Sequence, residues 1–363
     1  MNPLLLHEFH HGLNAQFAES NGAEIVTDYG AWLAEYKALR EAAGILDLSF
    51  RGRLCLLGND RIRFLHGQIT NDVKKLSAGE GCYAALTTAK GKMESDLNVF
   101  NLPDELLLDF EPGLTQIISQ RLEKYIVADD VQIVDVAPHY GLLTVQGPKA
   151  AEVVKAVGFT DPPQKGLSIT KTSDATLGEI YLANMPRIFP GKPGFDIYVP
   201  NDSLGAVADK LIAAAKNIGG GTCGWTAFET ARIEGGIPRF GADMDETNLP
   251  MECIKSRAMS FNKGCYIGQE VLNRIHAIGH VNKELRGLRL ADDLKALPQP
   301  HDKLFHNGKE VGYITSAAKS PALNANIALG YVRREANQIG TELMLRTTDG
   351  ESSMKIVELP FIK

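Results

Sequence analysis

The helical signal stops at Lys283. Beyond it the apolar pattern is short and alternating, in Leu285 to Leu290, Lys309 to Ser316, Ile327 to Val332, Glu342 to Thr347 and Ser353 to Leu359. Turn clusters separate these segments. Strands at that spacing close into a small barrel or stack as a sandwich, and nothing helical fits between them. Upstream, helical and strand-like stretches are mixed. The 363-residue chain therefore divides into an α+β body, 1–284, and a β-rich C-terminal domain, 285–363.

Within the body, Asn14 to Ser49 reads as helix, broken at Tyr29-Gly30, with Trp32, Leu33, Tyr36 and Leu39 at helical spacing. Arg51 to Leu57 reads as a strand, and Asp60 as the N-cap of a helix carrying Ile62, Leu65 and Ile69. Tyr83 to Thr88 and Met93 to Phe100 form a hairpin about Lys90-Gly91. A strand at Leu106 to Phe110 and a helix at Leu114 to Val127 follow. Leu142 to Val145 is a strand and Lys149 to Val157 a helix. Gly194 to Val199 is a further strand, and Asp202-Ser203 caps a helix running to Lys216. Gly219-Gly220-Gly221 reads as a flexible connector, since it lacks the lysine and hydroxyl of a phosphate loop.

Charge and cysteine content narrow the function. A formal net charge of −6 provides no global field for nucleic acid or an anionic membrane. No apolar run approaches the roughly 20 residues of a bilayer span. The N-terminal stretch lacks a basic n-region, so no signal peptide is expected. Five scattered cysteines without a CxxC pair indicate reduced thiols in the cytoplasm and no zinc site. His7, His10 and His11 have loose ligand spacing and are read as an exposed helix start rather than a metal site.

Chemistry concentrates in two segments. In Lys263-Gly264-Cys265-Tyr266-Ile267-Gly268-Gln269-Glu270, two glycines bracket a cysteine before a helix over Gln269 to His276. The helix N-terminus and the Lys263 cation both favour thiolate, which makes Cys265 a candidate reactive thiol. The alternative is a tight turn in which the cysteine fills a gap. In Met93-Glu94-Ser95-Asp96-Leu97, strand alternation puts Glu94 and Asp96 on one face, as acid–base groups in a cleft or as solvated carboxylates. Tyr83, Phe189, Phe195 and Asp196 are candidate walls for a flat heterocycle, or else strand core. Arg274, Lys283, Arg286 and Arg289 form a modest basic cluster, open to RNA or an anionic tail but equally a solvated face.

These pieces together resemble the folate-binding family of the glycine-cleavage T-protein, the aminomethyltransferases, and within it the YgfZ branch. The resemblance runs through Gly44-Ile45-Leu46-Asp47-Leu48-Ser49, Thr70-Asn71-Asp72-Val73, Gln146-Gly147-Pro148 and Arg232-Ile233-Glu234. It continues through Asp243-Met244-Asp245-Glu246 and, near the C-terminus, Val311-Gly312-Tyr313-Ile314-Thr315-Ser316. The octapeptide at 263–270 matches the YgfZ-branch signature K-G-C-[FY]-x-G-Q-E in full, where T-proteins carry K-D-F-x-G-K-E. The resemblance implies a GcvT-like body of two interleaved subdomains around a central folate cavity, closed by the C-terminal β-barrel.

It also implies site residues. Asp96 keeps the position of the T-protein aspartate that faces the reactive nitrogens of tetrahydrofolate. Tyr83 lies beside the pterin, Phe189 replaces a pocket tyrosine, and Asp196 replaces a pterin-binding glutamate. Phe228 stands where T-proteins carry a folate-contacting arginine. By resemblance the cofactor is tetrahydrofolate or a derivative. The implied function is a folate-dependent accessory protein for iron–sulfur enzyme assembly or maintenance, including enzymes that thiolate tRNA. Cys265 is then its reactive thiol near the cavity mouth. An aminomethyltransferase, passing a methylene unit to tetrahydrofolate, is the alternative. Direct tRNA binding is disfavoured by the acidic charge, and a monomer is the default expectation.

Overall fold

The structure is a computed structural model and describes residues 2–348 and 350–362. Two antiparallel sheets make the body. One has five strands in the order Gly81–Thr87, Met93–Asn101, Leu106–Phe110, Gly52–Leu57 and Gln132–Asp135. The other has six, in the order Ser168–Asp174, Gly178–Asn184, Gly194–Pro200, Tyr140–Gln146, Gly44–Asp47 and Gly221–Thr222, the last pair parallel. Leu39, Leu48, Phe100, Leu107, Leu142, Tyr198 and Phe228 form the core between them. Each outer face is covered by helices. Helix Leu204–Lys216 buries Leu204, Val207, Ala208, Leu211, Ile212 and Ala215, a three-and-four spacing that makes one apolar stripe for the six-stranded sheet.

The C-terminal strands close into a barrel in the order Lys283–Leu290, Ala325–Arg333, Lys309–Ser320, Lys303–His306, Glu342–Thr347 and Gly350–Val357. Its inward residues, including Leu288, Leu304, Ile314, Val332, Leu345 and Ile356, form a separate core. The α+β class with a C-terminal β-barrel is thus the fold observed. No helix among the described residues is long and apolar enough to cross a membrane.

Several local expectations are corrected. Residues 14–28 are not helical: Gln16–Ser20 and Ala23–Asp28 form a hairpin. The cause is Asn21-Gly22, whose φ angles of +50° and +80° make the tight turn that suits a right-twisted ribbon. Neither Asp60 nor Ser203 caps its helix with a side-chain hydrogen bond. Asp60 instead accepts from the Asp130 amide at 2.9 Å. The helix expected to reach Val127 is Thr115–Glu123. Gly219-Gly220-Gly221 is no loose connector, because Gly221 opens a strand beside Gly44 and a Cβ on Gly220 would lie 2.1 Å from the Ala43 carbonyl. Of the N-terminal histidines, His11 is exposed and His7 partly so, but His10 is buried, with Nε2 3.0 Å from Asp47 and Nδ1 2.8 Å from the Tyr29 hydroxyl.

Candidate functional site

Between the two sheets lies a narrow cleft of about 580 Å³, the open solvent at its mouth included. Each sheet and helix Trp225–Glu234 supplies part of its wall. Tyr83, Asp96 and Asn98 come from the central hairpin, and Arg187 from the segment after strand Gly178–Asn184. Trp225, Phe228 and Arg232 come from the helix, Arg239 from the loop beyond it and Arg257 from the short helix Lys255–Ala258.

The Tyr83 hydroxyl donates to Asp96 Oδ2 at 2.7 Å. Burial pushes the Asp96 carboxyl up to about 6, and the nearby Glu111 charge adds to that rise against the Tyr83 hydrogen bond. A carboxyl so placed exchanges a proton near neutral pH, which is what a general acid or base requires. Glu94 does not share this face. A bulge opposite Leu86 and Thr87 breaks the alternation, so Met93 packs with Tyr83 and Ala85. Glu94 turns instead to Arg121 Nε at 2.7 Å.

Beneath the cavity, Asp109 accepts from Arg51 at 2.7 Å, Arg187 at 2.9 Å and Asn98 at 2.9 Å. Burial opposes its ionisation, but Arg187 and Arg51 outweigh that and hold the carboxyl well below the usual range. Arg51 also pairs with Glu111, and Arg187 with Asp196. On the opposite wall Glu229 pairs with Arg232 at 2.8 Å and stands 3.3 Å from Arg239. Arg51, Arg187, Arg232 and Arg239 are therefore held in fixed orientations by carboxylates. The interior is charge-balanced and polar rather than a cationic well. Arg239 Nε is itself buried, 3.3 Å from Glu229 Oε1. One cation remains open to a ligand. Arg257 is exposed over the Tyr83 ring at 5.3 Å, with no carboxylate partner among the described residues. Trp225 and Phe228 stack at 5.1 Å and 21° to make an aromatic wall.

The expected site residues are only partly brought together. Tyr83, Asp96 and Phe228 line the cavity. Asp196 lies fully buried behind it and reaches it through Arg187. Phe189 does not face the cavity. Its ring lies under the Arg40 guanidinium at 4.5 Å, in a separate pocket with Pro148, Lys192 and Ile362. Phe195 is core of the six-stranded sheet. The basic cluster is dispersed: Arg286 pairs with Glu284, Arg289 with Asp292, and Lys283 donates to the Tyr313 hydroxyl. Arg187, Arg239, Arg257, Glu111 and Trp225 were not legible from sequence, since they stand singly, far apart in the chain, and only the fold brings them to one cavity.

The octapeptide lies at the tip of the central hairpin and contributes no residue to the cavity lining. Lys263 Nζ donates to the carbonyls of His66, Ile69 and Asn71 at 2.6, 2.6 and 2.8 Å. Burial lowers this ammonium to about 8. It staples the turn after helix Arg61–His66 and is not a counter-ion reserved for the thiol, as the sequence suggested. Gly268 has a φ of +87°, and a Cβ there would lie 2.6 Å from the Thr88 carbonyl. Gln269 accepts from the Tyr266 amide at 3.2 Å, and Tyr266 packs with Met251, Leu272 and Val281. Glu270 is exposed in the first turn of helix Gln269–Ile278. Gly264 and Cys265 are exposed, and Cys265 is the exposed thiol among the five cysteines. It stands outside that helix, whose dipole acts only over the first turn.

Comparison with known proteins agrees with this architecture. Residues 6–263 match the GCVT N-terminal domain, and residues 283–363 match the glycine cleavage T-protein C-terminal barrel domain. The chain is 28% identical over 355 residues to an aminomethyltransferase of Geobacillus, covering 96% of this chain and 95% of that one. It is 28% identical over 346 residues to the aminomethyltransferase of Bacillus subtilis, covering 94% of each. Its fold is similar to the crystal structure of the glycine cleavage system aminomethyltransferase T from Bartonella henselae, with a TM-score of 0.90, 23% identity, and coverage of 99% of this chain and 98% of that one. The chain belongs to the GCVT family, that of the aminomethyltransferase T-proteins.

Proposed function

We propose that this chain binds tetrahydrofolate in the central cavity. The observation that carries this is the pairing of a proton-exchanging carboxyl, Asp96, with a stacked aromatic wall and a mouth arginine. A flat pterin packs against Trp225 and Phe228. Its N–H edge meets the acceptors Asp96 and Glu111. Arg257 meets a carboxylate of the glutamate tail. When bound, tetrahydrofolate supplies nitrogens that carry a one-carbon unit, and Asp96 is the residue able to give or take a proton beside them.

Two uses of the folate are supported by different observations. Methylene transfer from an aminomethylated lipoyl carrier is favoured by the relatives, which are named aminomethyltransferase along nearly their whole length. Service to iron–sulfur enzymes, including tRNA-thiolating ones, is favoured by the complete octapeptide with its exposed Cys265. Phe228, in place of the folate-contacting arginine of the transferases, points the same way. The relatives support the transferase use more directly, and the octapeptide and Phe228 are what support the accessory use.

One pair of measurements tests both uses. The purified protein is titrated with tetrahydrofolate and then offered aminomethylated carrier. Binding without formation of methylenetetrahydrofolate, together with loss of iron–sulfur enzyme activity in cells carrying Cys265→Ser, supports the accessory use. Product formation assigns the transferase, and failure to bind tetrahydrofolate overturns the reading of the cavity.

A further inference from the structure

A second cavity interrupts the core between the two sheets, away from the central one. It has about 580 Å³, the open solvent at its mouth included, and shares no lining residue with the central cavity. Strand Gly52–Leu57 gives it Arg53 and Cys55, two residues apart and so on one face. Leu107 is the strand partner of Cys55, and strand Gly194–Pro200 contributes Tyr198. The Tyr140 and Tyr181 rings, edge to face at 6.0 Å, add an aromatic side.

Arg53 is unlike the other arginines of the interior. Arg51, Arg187, Arg232 and Arg239 each have a carboxylate at contact distance. Arg53 is 1% exposed and has none among the described residues. Its guanidinium meets only backbone carbonyls. Nη1 donates to Arg51 at 3.1 Å, and Nη2 to Tyr140 at 2.6 Å, Ser49 at 3.3 Å and Ala137 at 3.4 Å. Asp109 is its strand partner, but both Asp109 oxygens are taken by Arg51, Arg187 and Asn98. Arg53 Nε is buried with no hydrogen-bond partner, and so is the hydroxyl of Tyr198, a residue 2% exposed. Burial works against the Arg53 charge and keeps the Tyr198 hydroxyl protonated, and the two groups act on each other electrostatically. Buried donors are almost always matched. Two unmatched ones on the wall of one cavity call for an acceptor from outside the chain.

We propose that this cavity binds a small aromatic monocarboxylate, whose carboxylate meets Arg53 Nε and the Tyr198 hydroxyl and whose ring packs against Tyr140, Tyr181 and Leu107. A carboxylate brings two oxygens to two free donors, and both bonds are charge-assisted. One negative charge is what the wall can hold. Arg53 is the single cation lining the cavity, and the partly buried Glu105 lines it too. A phosphate dianion would bring a second charge with no cation to meet it, against the repulsion of Glu105 and Asp109. The apolar lining of Leu102, Leu107 and Val136, with the tyrosine rings, suits a flat hydrocarbon body.

The full-length protein is titrated calorimetrically with benzoate, with benzamide, which keeps the shape and loses the charge, and with inorganic phosphate. We expect one benzoate per chain, with benzamide and phosphate at least about tenfold weaker. Arg53 also braces four backbone carbonyls, so its replacement endangers the fold and Tyr198→Phe carries the test. That variant should weaken benzoate by about fivefold or more. Without ligand its melting temperature should be unchanged or raised, because the hydroxyl removed had no partner. Saturating tetrahydrofolate should leave benzoate affinity unchanged, since the two cavities share no wall residue.

Absence of saturable benzoate binding up to about 10 mM overturns the proposal. So does phosphate binding as tightly as benzoate, or a Tyr198→Phe protein of unaltered affinity. Displacement of benzoate by tetrahydrofolate places it in the central cavity and overturns the proposal as well. If tetrahydrofolate fails to bind while benzoate binds in a Tyr198-dependent way, this site stands and only the reading of the central cavity falls.

Discussion

Asp96 shows how one residue trades stability for chemistry. Its carboxyl is raised from the ordinary 3.8 to about 6, first by burial and then by Glu111. Between those values the folded chain holds a proton that the unfolded chain has released. Stability from this group is therefore full below about pH 4 and falls as pH rises through about 6. At neutral pH the buried ionised carboxylate is a net cost of up to about 3 kcal/mol. Asp96→Asn should remove that pH slope and raise the melting temperature at pH 7, while weakening tetrahydrofolate binding and abolishing any proton transfer. Calorimetry from pH 4 to 8 checks the first effect and ligand titration the second. An unchanged slope would mean that Asp96 is ionised at no cost and is not the proton-exchanging group. The glycines at 219 and 220 are a contrast at the same scale, because there backbone rather than charge decides.

At the scale of elements, those two glycines predict opposite severities. Gly219 has a φ of +83° with open space around it, so Gly219→Ala meets only backbone strain of about 1 kcal/mol. A Cβ on Gly220 would stand 2.1 Å from the Ala43 carbonyl, at the edge where Gly221 pairs with Gly44. Gly220→Ala should push that strand off its neighbour and cost several-fold more, about 3 kcal/mol, in urea denaturation. Equal losses would show that the parallel edge pair is dispensable.

The same contrast explains what sequence could and could not give. The barrel was legible because short apolar segments recur between turn clusters, although Ala325–Arg333 is buried on both faces and the short strand Lys303–His306 escaped notice. The hairpin carrying Asp96 was legible for the same reason, but its bulge was not, and the bulge is what separates Glu94 from Asp96. The N-terminal hairpin was misread as helix because Trp32 to Leu39 dominates the periodicity next to it, although Asn21-Gly22 signals the turn. The arginine network of the cavity was invisible. Arg51 and Asp109 are 58 residues apart and Arg239 and Glu111 are 128 apart, and only the fold brings them together.

Across the whole molecule, the barrel is tied to the cavity-wall helix through two carboxylates, Asp243 and Glu234. Arg232 lines the cavity and donates to Asp243 Oδ2 at 2.7 Å. The other oxygen of Asp243 accepts from the barrel hydroxyls of Thr315 at 2.6 Å and Ser316 at 2.7 Å. Further along the same helix, Glu234 accepts from Tyr36 at 2.7 Å and from Ser320 of the barrel, and its carbonyl takes the Phe361 amide at 2.9 Å. The helix that presents Trp225, Phe228 and Arg232 to the ligand is thus clamped by the barrel at its C-terminal end. Replacing Thr315 with Val and Ser316 with Ala leaves Asp243 Oδ1 buried without donors, a cost of about 1–3 kcal/mol. Neither residue lines the cavity. The double variant should nevertheless weaken tetrahydrofolate binding by about threefold or more, because Arg232 loses the fixed carboxylate that orients it. Titration of a variant whose circular dichroism matches wild type isolates the effect. Unchanged affinity would make the barrel a neighbour of the site, whereas reduced affinity with an intact fold makes it part of the machinery that holds the ligand.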